Sequence, residues 1–156
     1  MVKKKFKNVA TNRRASHDYH LLDRFEAGIE LTGTEIKSVR AHNVSLQRSF
    51  VHIRQGELWL ADARIAPYER AGYEQHDPDR PRKLLLHRRE INKIISALTT
   101  KGLTMVPTRM YLKNGWAKVE VALARGKRQY DKRAAIRKRD TDRQVERELR
   151  DRHREA

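Results

Sequence analysis

Residues 103–124 have the sequence LTMVPTRMYLKNGWAKVEVALA, in which two alternating segments flank Asn114-Gly115. An Asn-Gly pair between alternating apolar and polar residues is a strong local signal for a tight β-hairpin turn. The pattern predicts strands over 103–112 and 116–124. Because Pro107 has no amide hydrogen to donate to a ladder, we expect it at an edge or a bulge of the first strand.

The segments before this hairpin supply further short strands and two helices. In chain order they are a strand from Tyr19 with a bend at Ala27-Gly28, a short helix over 35–40 capped by Thr34, strands over 49–54 and 57–62, a long loop over 66–82, a strand over 82–86 and a helix over 87–100. Short strands joined by local hairpins, with helices set against them, are typical of a small antiparallel barrel of oligonucleotide-binding (OB) type. The predicted fold is therefore mainly β with helices, in a small closed OB-like β-barrel.

The charge of the chain predicts a polyanionic partner. The 156 residues include 36 Lys and Arg against 20 Asp and Glu, a formal net charge of +16. Residues 1–14 hold six cations and no acid, and residues 125–156 hold thirteen cations against seven acids. Nucleic acid is the commonest polyanion. A merely solubilising surface is the alternative, and a membrane surface is disfavoured because neither basic end has an apolar face.

Several classes of protein are excluded by what the sequence lacks. With no Cys, the chain has no disulfide, catalytic thiol or Cys-ligated zinc. No apolar run approaches the roughly 18 residues that span a bilayer. The basic start is followed by no apolar stretch, so it does not resemble a secretory signal. We expect a soluble, cytoplasmic protein with no membrane partner.

Motifs of catalysis and metal binding are also missing, so we expect no enzyme activity, no metal and no cofactor. The sequence has no phosphate-binding Gly-rich loop, nucleophile elbow or zinc-ligand spacing. His17 and His20 are three residues apart, but their segment is predicted to be extended and a third ligand is missing. Glu26, Glu30 and Glu35 are typical of solvated or structural acids near a turn. A nuclease or RNA-modifying domain remains the enzymatic alternative.

The two ends are predicted to differ from the barrel. Residues 1–16 have little periodic apolar content and are expected to form a flexible basic arm, with the barrel over 17–125 and a basic tail over 126–156. The tail has too few apolar residues to offset its ordering entropy, so we expect disorder when it is unbound.

The composition of the tail nevertheless favours a helix when phosphates neutralise its charge. No Gly or Pro follows Gly126, and most of its residues are good helix formers. A helix would align a largely cationic stripe of Lys132, Ile136, Arg139, Arg143, Arg147, Arg150 and Arg154. The alternative is a solvated charged helix with no partner.

Four ordered motifs resemble one family over nearly the whole chain. They are NRRASHDY at 12–19, FEAGIELTGTEIKSVR at 25–40, RKLLLH at 82–87 and ARGKRQYDKR at 124–133. Together they resemble the small protein B family, the SsrA-binding proteins. The resemblance implies an antiparallel OB-type barrel of about six strands with about three α-helices.

The same resemblance implies a non-catalytic RNA-binding function. The protein would bind the tRNA-like domain of transfer-messenger RNA, so that protein and RNA together imitate a tRNA. Elongation factor Tu with GTP would carry the complex to the A site of a stalled ribosome for trans-translation. The alternative is a basic ribosomal or ribosome-assembly protein with an OB-like barrel.

The resemblance also assigns site residues. Three of them fall on RNA-binding positions, and neighbouring basic residues are expected to contribute: Asn12, Glu26 and Leu85, with Arg13, Arg14, His17 and Lys83. A second set is expected at the decoding centre and in the empty mRNA channel, against small-subunit rRNA: Lys127, Tyr130, Asp131, Lys132, Arg133, Arg139, Arg143 and Arg147.

Physical roles are predicted for four of these residues. The Glu26 carboxylate repels phosphate, so it either accepts from base amino or 2′-hydroxyl groups, orients an Arg, or forms an internal salt bridge. Alternation turns Leu85 outward to pack on a base or ribose, unless its strand is buried on both faces. Tyr130 is expected to stack on a base and Asp131 to cap the tail helix.

Overall fold

The computed structural model describes residues 5–73, 75–127 and 129–155. The strands are β1 Phe6–Thr11, β2 Tyr19–Ile29, β3 Val44–Ser45, β4 Phe50–Arg54, β5 Glu57–Ala61, β6 Arg64–Ile65, β7 Arg82–Leu85, β8 Thr104–Lys113 and β9 Trp116–Gly126. The helices are α1 Arg13–Asp18, α2 Gly33–Arg40, α3 Arg88–Thr100 and α4 Gln129–Glu155, with a 3₁₀ turn at Glu69–Ala71. The chain divides into two compact units, one ending at Arg125 and the other beginning at Gly126.

The strand pairings form a ring. They run from β8 through β4, β5, β7, β2 and β9 and return to β8, while β1 also pairs with β8. β3 and β6 form a separate two-stranded ladder. The predicted mainly β fold with an OB-like barrel of about six strands is confirmed, although short additional strands raise the number of strands above that estimate.

The core lies inside this ring and beneath two helices. Alternate residues of β5 and β7 point inward, so that Leu58, Leu60 and Leu84 are fully buried. On α3, Ile91 and Ile94 recur at helical spacing and pack into the same cluster. Removing this apolar surface from water is the main favourable contribution to folding.

The hairpin between β8 and β9 confirms two predictions. Asn114 and Gly115 both have positive φ angles, 53° and 83°, which suits the twist of a two-residue hairpin turn. Pro107 lies at a bulge, because the register of β8 against β9 shifts between Pro107 and Arg109. The bulge lets a residue without an amide hydrogen sit inside a long strand.

The prediction of a flexible arm over 1–16 is wrong for residues 6–16. β1 pairs with β8 from Phe6 opposite Lys113 to Thr11 opposite Arg109. Val9 joins the core cluster, and α1 follows β1 directly. A few buried contacts and a strand ladder that is interrupted between Asn8 and Ala10 therefore order a segment whose composition alone predicts mobility.

The helix α2 is capped by Thr32 rather than by the predicted Thr34. Thr32 has extended backbone angles and accepts a hydrogen bond from the Glu35 amide, while its own amide donates to Glu35 Oε1 at 2.9 Å. This reciprocal pair is a capping box. Thr34 lies inside the first turn, since the helix already begins at Gly33.

The tail differs from the predicted disorder. Residues Gln129–Glu155 form one helix of 27 residues in the chain alone. Strong helix formers, together with acid–base pairs one turn apart such as Glu146 and Arg150, favour this state. In the described part of the chain, no helix combines the length and the apolar character needed to cross a membrane.

A buried ion pair connects α2 with β7. Glu35 and Arg82 are both fully buried, and Arg82 Nε donates to Glu35 Oε2 at 2.5 Å. Arg80 Nη2 donates to the second carboxylate oxygen at 2.5 Å. Burial alone would raise the pKa of Glu35, but the hydrogen bonds from Arg80, the Thr32 amide and Arg82 lower it below its ordinary value.

The Arg82 guanidinium also fixes the surrounding chain. It donates to the Ala63 carbonyl at 2.6 Å and to the carbonyls of Asp77 and Pro78 at 3.3 and 3.2 Å. One side chain therefore joins β7 to the connection between β5 and β6 and to the loop that precedes β7. Such a pair is costly to break, because either partner left alone is an uncompensated buried charge.

We expect Glu35→Gln to destabilise the fold by about 3–5 kcal/mol, because it leaves Arg82 buried without a counter-charge. Denaturant unfolding at neutral pH measures the loss. The folded-state pKa of Glu35 is lowered from 4.5, so its stabilisation is complete above that pH and is lost as the pH falls below it.

Glu57→Gln is the matched control, since Glu57 pairs with the exposed Arg88 at 2.7 Å. That exposed pair is expected to contribute less than about 1 kcal/mol. Similar small losses in both variants would show that the buried pair is not a major determinant of stability.

Candidate nucleic-acid interface

The outer face of β1, β8 and β9 presents polar and aromatic side chains in rows. Antiparallel pairing places Phe6 and Trp116 on either side of Lys113. The next row along the strands places Asn8 and Lys118 on either side of Tyr111. Neighbours across paired strands point to the same side of the sheet, so these residues share one surface.

Aromatic rings and a guanidinium are stacked on this face. The rings of Phe6 and Tyr111 have centroids 4.6 Å apart, and Arg109 Cζ lies 5.0 Å from each centroid. Cation–π contact holds the Arg109 side chain against the sheet. A flat cationic group held in this way is suited to stack on a nucleobase and to bind phosphate.

Glu26 of β2 is held by two partners on β8. The Tyr111 hydroxyl donates to Glu26 Oε2, and Lys113 Nζ lies 3.2 and 3.3 Å from the two carboxylate oxygens. The Tyr111 hydrogen bond, aided by Lys113, lowers the pKa of Glu26 below its ordinary value. The carboxylate is 41% exposed, so it keeps accessible lone pairs on a basic face.

The structure therefore supports an internal ion pair for Glu26, with Lys113 and a tyrosine rather than an arginine as partners. The contacts with Lys113 and Tyr111 leave Glu26 able to accept further hydrogen bonds, because each carboxylate oxygen can accept more than one. Burial, with the neighbouring Glu26 carboxylate, raises the pKa of Tyr111, which keeps its hydroxyl protonated as the donor.

Glu120 binds two cationic side chains, Arg24 and Arg109, on the same face as Glu26 and Tyr111. It accepts from Arg24 at 2.9 Å, from the Thr108 hydroxyl at 2.8 Å and from Arg109 at 3.1 and 3.2 Å. Burial alone would raise the pKa of Glu120, but the hydrogen bonds from Thr108 and Arg24 and the charge of Arg109 lower it. The carboxylate fixes two guanidinium groups at the surface.

Glu26 and Leu85 line one groove of about 490 Å³. Leu85 is 48% exposed while Leu84 is fully buried, so the prediction of an outward Leu85 is confirmed and a strand buried on both faces is excluded. A Cβ on Gly28 would lie 3.2 Å from the Leu85 Cβ. Glycine at this position permits the close approach of β2 and β7 that forms the groove floor.

Asn12, which was predicted to contact RNA, is buried rather than exposed at the surface. Its side chain is buried and donates from Nδ2 to the Pro107 carbonyl at 2.9 Å, and its amide donates to the Thr108 carbonyl at 2.8 Å. These bonds fasten the start of α1 to the bulge of β8. The structure therefore gives Asn12 a positioning role for the exposed Arg13 and Arg14 that follow it.

The remaining barrel residues predicted from the sequence are spread over the surface. Arg13 lines a hollow of about 390 Å³ together with Arg24, Arg109 and Glu120. His17 is exposed on α1 with Nδ1 2.9 Å from Asp18 Oδ1, so its segment is helical rather than extended. Among the described residues, no group of three potential ligands is arranged to hold a metal ion.

The predicted tail residues all belong to the second unit, which begins at Gly126. Arg133, Arg139, Arg143 and Arg147 are exposed on α4. Lys127 follows β9 and is half-buried. Asp131 is not the cap of α4, because the helix begins two residues earlier. The side chains of Tyr130, Asp131 and Lys132 lie outside the described residues.

Sequence reasoning missed most of the network on β8 and β9. Arg109, Tyr111 and Lys113 recur at every second position after the bulge, which is a signal for one shared face. Their partners Glu26 and Glu120 are distant in the chain or on the neighbouring strand, and no local pattern identifies them.

The fold and this surface define a class of protein, the basic OB-like barrel that binds nucleic acid. The family model described as SmpB protein matches residues 9–151. The chain therefore belongs to the SmpB family.

Curated relatives match over most of the chain. The SsrA-binding protein of Chloroflexus aggregans (strain MD-66 / DSM 9485) is 55% identical over 148 residues, covering 94% of this chain and 94% of that protein. The SsrA-binding protein of Limosilactobacillus reuteri (strain DSM 20016) is 53% identical over 139 residues, covering 89% and 88%.

A solved structure is also similar. It is described as "tmRNA-SmpB: a journey to the center of the bacterial ribosome" and is 48% identical, with a TM-score of 0.65. The match covers 81% of this chain and 93% of that chain.

We expect Tyr111→Phe to raise the pKa of Glu26 toward its ordinary value of 4.5, because the hydroxyl that favours the carboxylate is removed. Carboxyl titration by NMR measures this change. A lowered folded-state pKa stabilises the fold above pH 4.5, so the stability lost in the variant should shrink as the pH falls below that value.

Tyr68→Phe is the control, since it removes a hydroxyl from a ring that lies near Lys37 in a different part of the barrel unit. It should leave the titration of Glu26 unchanged. An identical Glu26 titration in wild type and Tyr111→Phe would contradict the role assigned to the hydroxyl.

Proposed function

We propose that this chain binds the tRNA-like domain of transfer-messenger RNA and delivers it to the A site of stalled ribosomes for trans-translation. The observation that carries this proposal is the match of about nine-tenths of the chain to SsrA-binding proteins at about half identity. The similar solved structure, whose description places tmRNA and SmpB in the bacterial ribosome, supports the same function.

The barrel is the part that binds the folded RNA. Its outer face combines the stacked Arg109, the oriented Arg24 and the half-exposed Glu26 within one network. Cations that are already ordered contact phosphates at a lower entropic cost than flexible ones. Glu26 accepts hydrogen bonds from base amino groups or 2′-hydroxyls. These donors are not recognised by the cations, which bind phosphates instead.

Leu85 and the residues of α1 extend this RNA interface. The exposed Leu85 side chain packs against an unstacked base or a ribose at the groove shared with Glu26. Arg13 and Arg14 contact phosphates from α1, whose position depends on the buried Asn12. His17 of α1 and Lys83 of β7 add polar contacts to the RNA.

The tail is the part that acts on the ribosome. Exposed arginines at 133, 139, 143 and 147 lie along a helix about 40 Å long, at about 1.5 Å per residue. Phosphates of small-subunit rRNA neutralise this stripe in the empty mRNA channel. Lys127, Tyr130, Asp131 and Lys132 lie at the beginning of the tail and occupy the decoding centre.

The remaining features of the proposal follow from the same role. Elongation factor Tu with GTP carries the complex through the RNA, and the protein acts in the cytoplasm. The chain contributes binding and positioning rather than catalysis, and it needs no cofactor.

We expect Glu26→Gln to weaken binding of transfer-messenger RNA by about tenfold or more, since a hydrogen bond to a charged acceptor contributes about 1.5–3 kcal/mol. Filter binding with transcribed RNA measures the affinity. Glu30→Gln is the control, because it removes the same charge from an exposed side chain of the same region.

A purely electrostatic interface predicts the opposite result, stronger binding in both variants, because each loses one negative charge. The melting temperatures of Glu26→Gln and Glu30→Gln show whether a loss of RNA affinity comes from lost recognition or from a destabilised fold. A large drop in the melting temperature of Glu26→Gln would indicate that the carboxylate is mainly structural.

We expect truncation after Arg125 to leave the affinity for transfer-messenger RNA within about threefold while abolishing the tagging of stalled peptides. The physical reason is that the barrel unit ends at Arg125 and the exposed cations of the tail belong to the other unit. Affinity is measured on the RNA alone, and tagging in a reconstituted translation system. Equal loss of both activities would argue against separate roles.

A further inference from the structure

The outer face of the β4–β5 hairpin carries rings beside a cation. His52 pairs with Trp59 across the hairpin, and Trp59 pairs with Lys83 on β7. The alternate residues Leu58 and Leu60 face the core, so His52, Trp59 and Lys83 lie together on the outer side of the sheet, where each is half-buried. Three adjacent strands therefore present these groups in one row.

Two further residues extend this row into a small surface. Phe50 is 41% exposed, and its ring meets the His52 ring edge-on at 6.0 Å between centroids. Arg54 Cζ lies 5.7 Å from the Trp59 ring. The hairpin surface, defined as Phe50, His52, Arg54, Trp59 and Lys83, thus combines three rings with two cations. The whole chain has few aromatic residues, but the fold concentrates three rings here.

The charge of the hairpin surface is positive. Glu57 is the acid at its edge, and Arg88 neutralises it through a contact of 2.7 Å while also donating to the Gly56 carbonyl at 3.0 Å. Within the described part of the chain, Arg54 and Lys83 form no ion pair. Rings flanked by cations that form no ion pair suit a nucleic acid strand, which offers bases to stack on the rings and phosphates to bind the cations.

The hairpin surface is continuous with the Glu26 groove. Lys83 and Leu85 are two residues apart on β7 and point to the same side. Leu85 pairs with Gly28 on one neighbouring strand, and Lys83 pairs with Trp59 on the other. With strands about 4.8 Å apart and alternate residues about 6.6 Å apart, the path from Gly28 to Trp59 is about 16 Å.

We propose that the RNA interface continues from Leu85 over Lys83 onto the hairpin surface, where unpaired bases of transfer-messenger RNA stack on Trp59 and His52. This inference rests on the proposed function, because it takes the same RNA as the ligand. Lys83 and Arg54 bind the phosphates that flank those bases. The rings provide a platform for one or two bases rather than an extended track.

Removal of the indole tests the platform. Base stacking on an aromatic side chain contributes roughly 1–3 kcal/mol per base, so Trp59→Leu should weaken binding of transcribed transfer-messenger RNA by about five- to 150-fold. Lys83→Gln should weaken it by about threefold and reduce the salt dependence of the affinity.

Two exposed residues provide matched controls. Tyr73→Leu removes an exposed ring from the long loop, and Lys101→Gln removes one positive charge at the end of α3. Both controls should change the affinity by less than about twofold. If Tyr73→Leu and Trp59→Leu have equal effects, stacking on the hairpin surface is refuted.

A second measurement does not depend on the folding of Trp59→Leu. The chain has two Trp, so Trp116→Phe, which keeps an aromatic ring on the outer face, leaves Trp59 as the single indole, and the RNA concentration is raised until this variant is saturated. Saturating RNA should change the fluorescence of Trp59 and protect it from quenching by acrylamide. Unchanged fluorescence and quenching at saturation would overturn the inference while leaving RNA binding itself, and the proposed function, intact.

The remaining outcomes also decide the question. If Trp59→Leu binds the RNA normally but associates poorly with ribosomes, the hairpin surface takes a different partner and the inference is wrong. If the wild-type chain does not bind transfer-messenger RNA at all, the proposed function fails first, and the inference fails with it.

Discussion

The buried ion pair between Glu35 and Arg82 constrains the rest of the barrel unit. It joins α2 to β7, and Arg82 also binds three carbonyls of the preceding chain. Because two buried charges tolerate little displacement, the pair fixes the position of β7 along its neighbours. β7 in turn places Leu84 in the core and turns Lys83 and Leu85 outward. The buried pair of Glu35 and Arg82 thus determines where the candidate RNA-binding side chains of Lys83 and Leu85 lie.

A related arrangement orders the outer face. Glu26 and Glu120 carry negative charge on a surface suited to a polyanion, and both are hydrogen-bonded to tyrosine, threonine or cationic side chains. Their function there is to hold Lys113, Arg24 and Arg109 in defined positions. The two carboxylates reduce the attraction of the surface for a polyanion. The loss is offset because cations that are already oriented lose less conformational entropy when they bind. Charge alone would attract any nucleic acid, and under the proposed function this network adds selection by shape and hydrogen bonding.

The two units bind by different physical means. The barrel combines a packed core with surface side chains that are already held by hydrogen bonds in the unbound chain. On α4 the described side chains from Arg137 to His153 are exposed, and the helix depends on local propensity and charge pairs. Under the proposed function, phosphates along its cationic stripe add to its stability. Under the proposed function, recognition of a folded RNA and insertion into a second RNA surface belong to separate parts of one short chain.

The amino-acid sequence by itself determined the elements that depend on near neighbours. The Asn114-Gly115 turn, the bulge at Pro107 and the outward side of Leu85 follow from local backbone chemistry and alternation. The tertiary structure alone decided the contacts between distant residues, such as Glu26 with Tyr111, 85 positions apart, and Glu35 with Arg82, 47 apart. The pairing of β1 with β8, which adds β1 to the outside of the ring, is a further contact between distant residues. The physical reason is that such pairs form only when whole strands are in register, and register depends on the shared core rather than on local sequence.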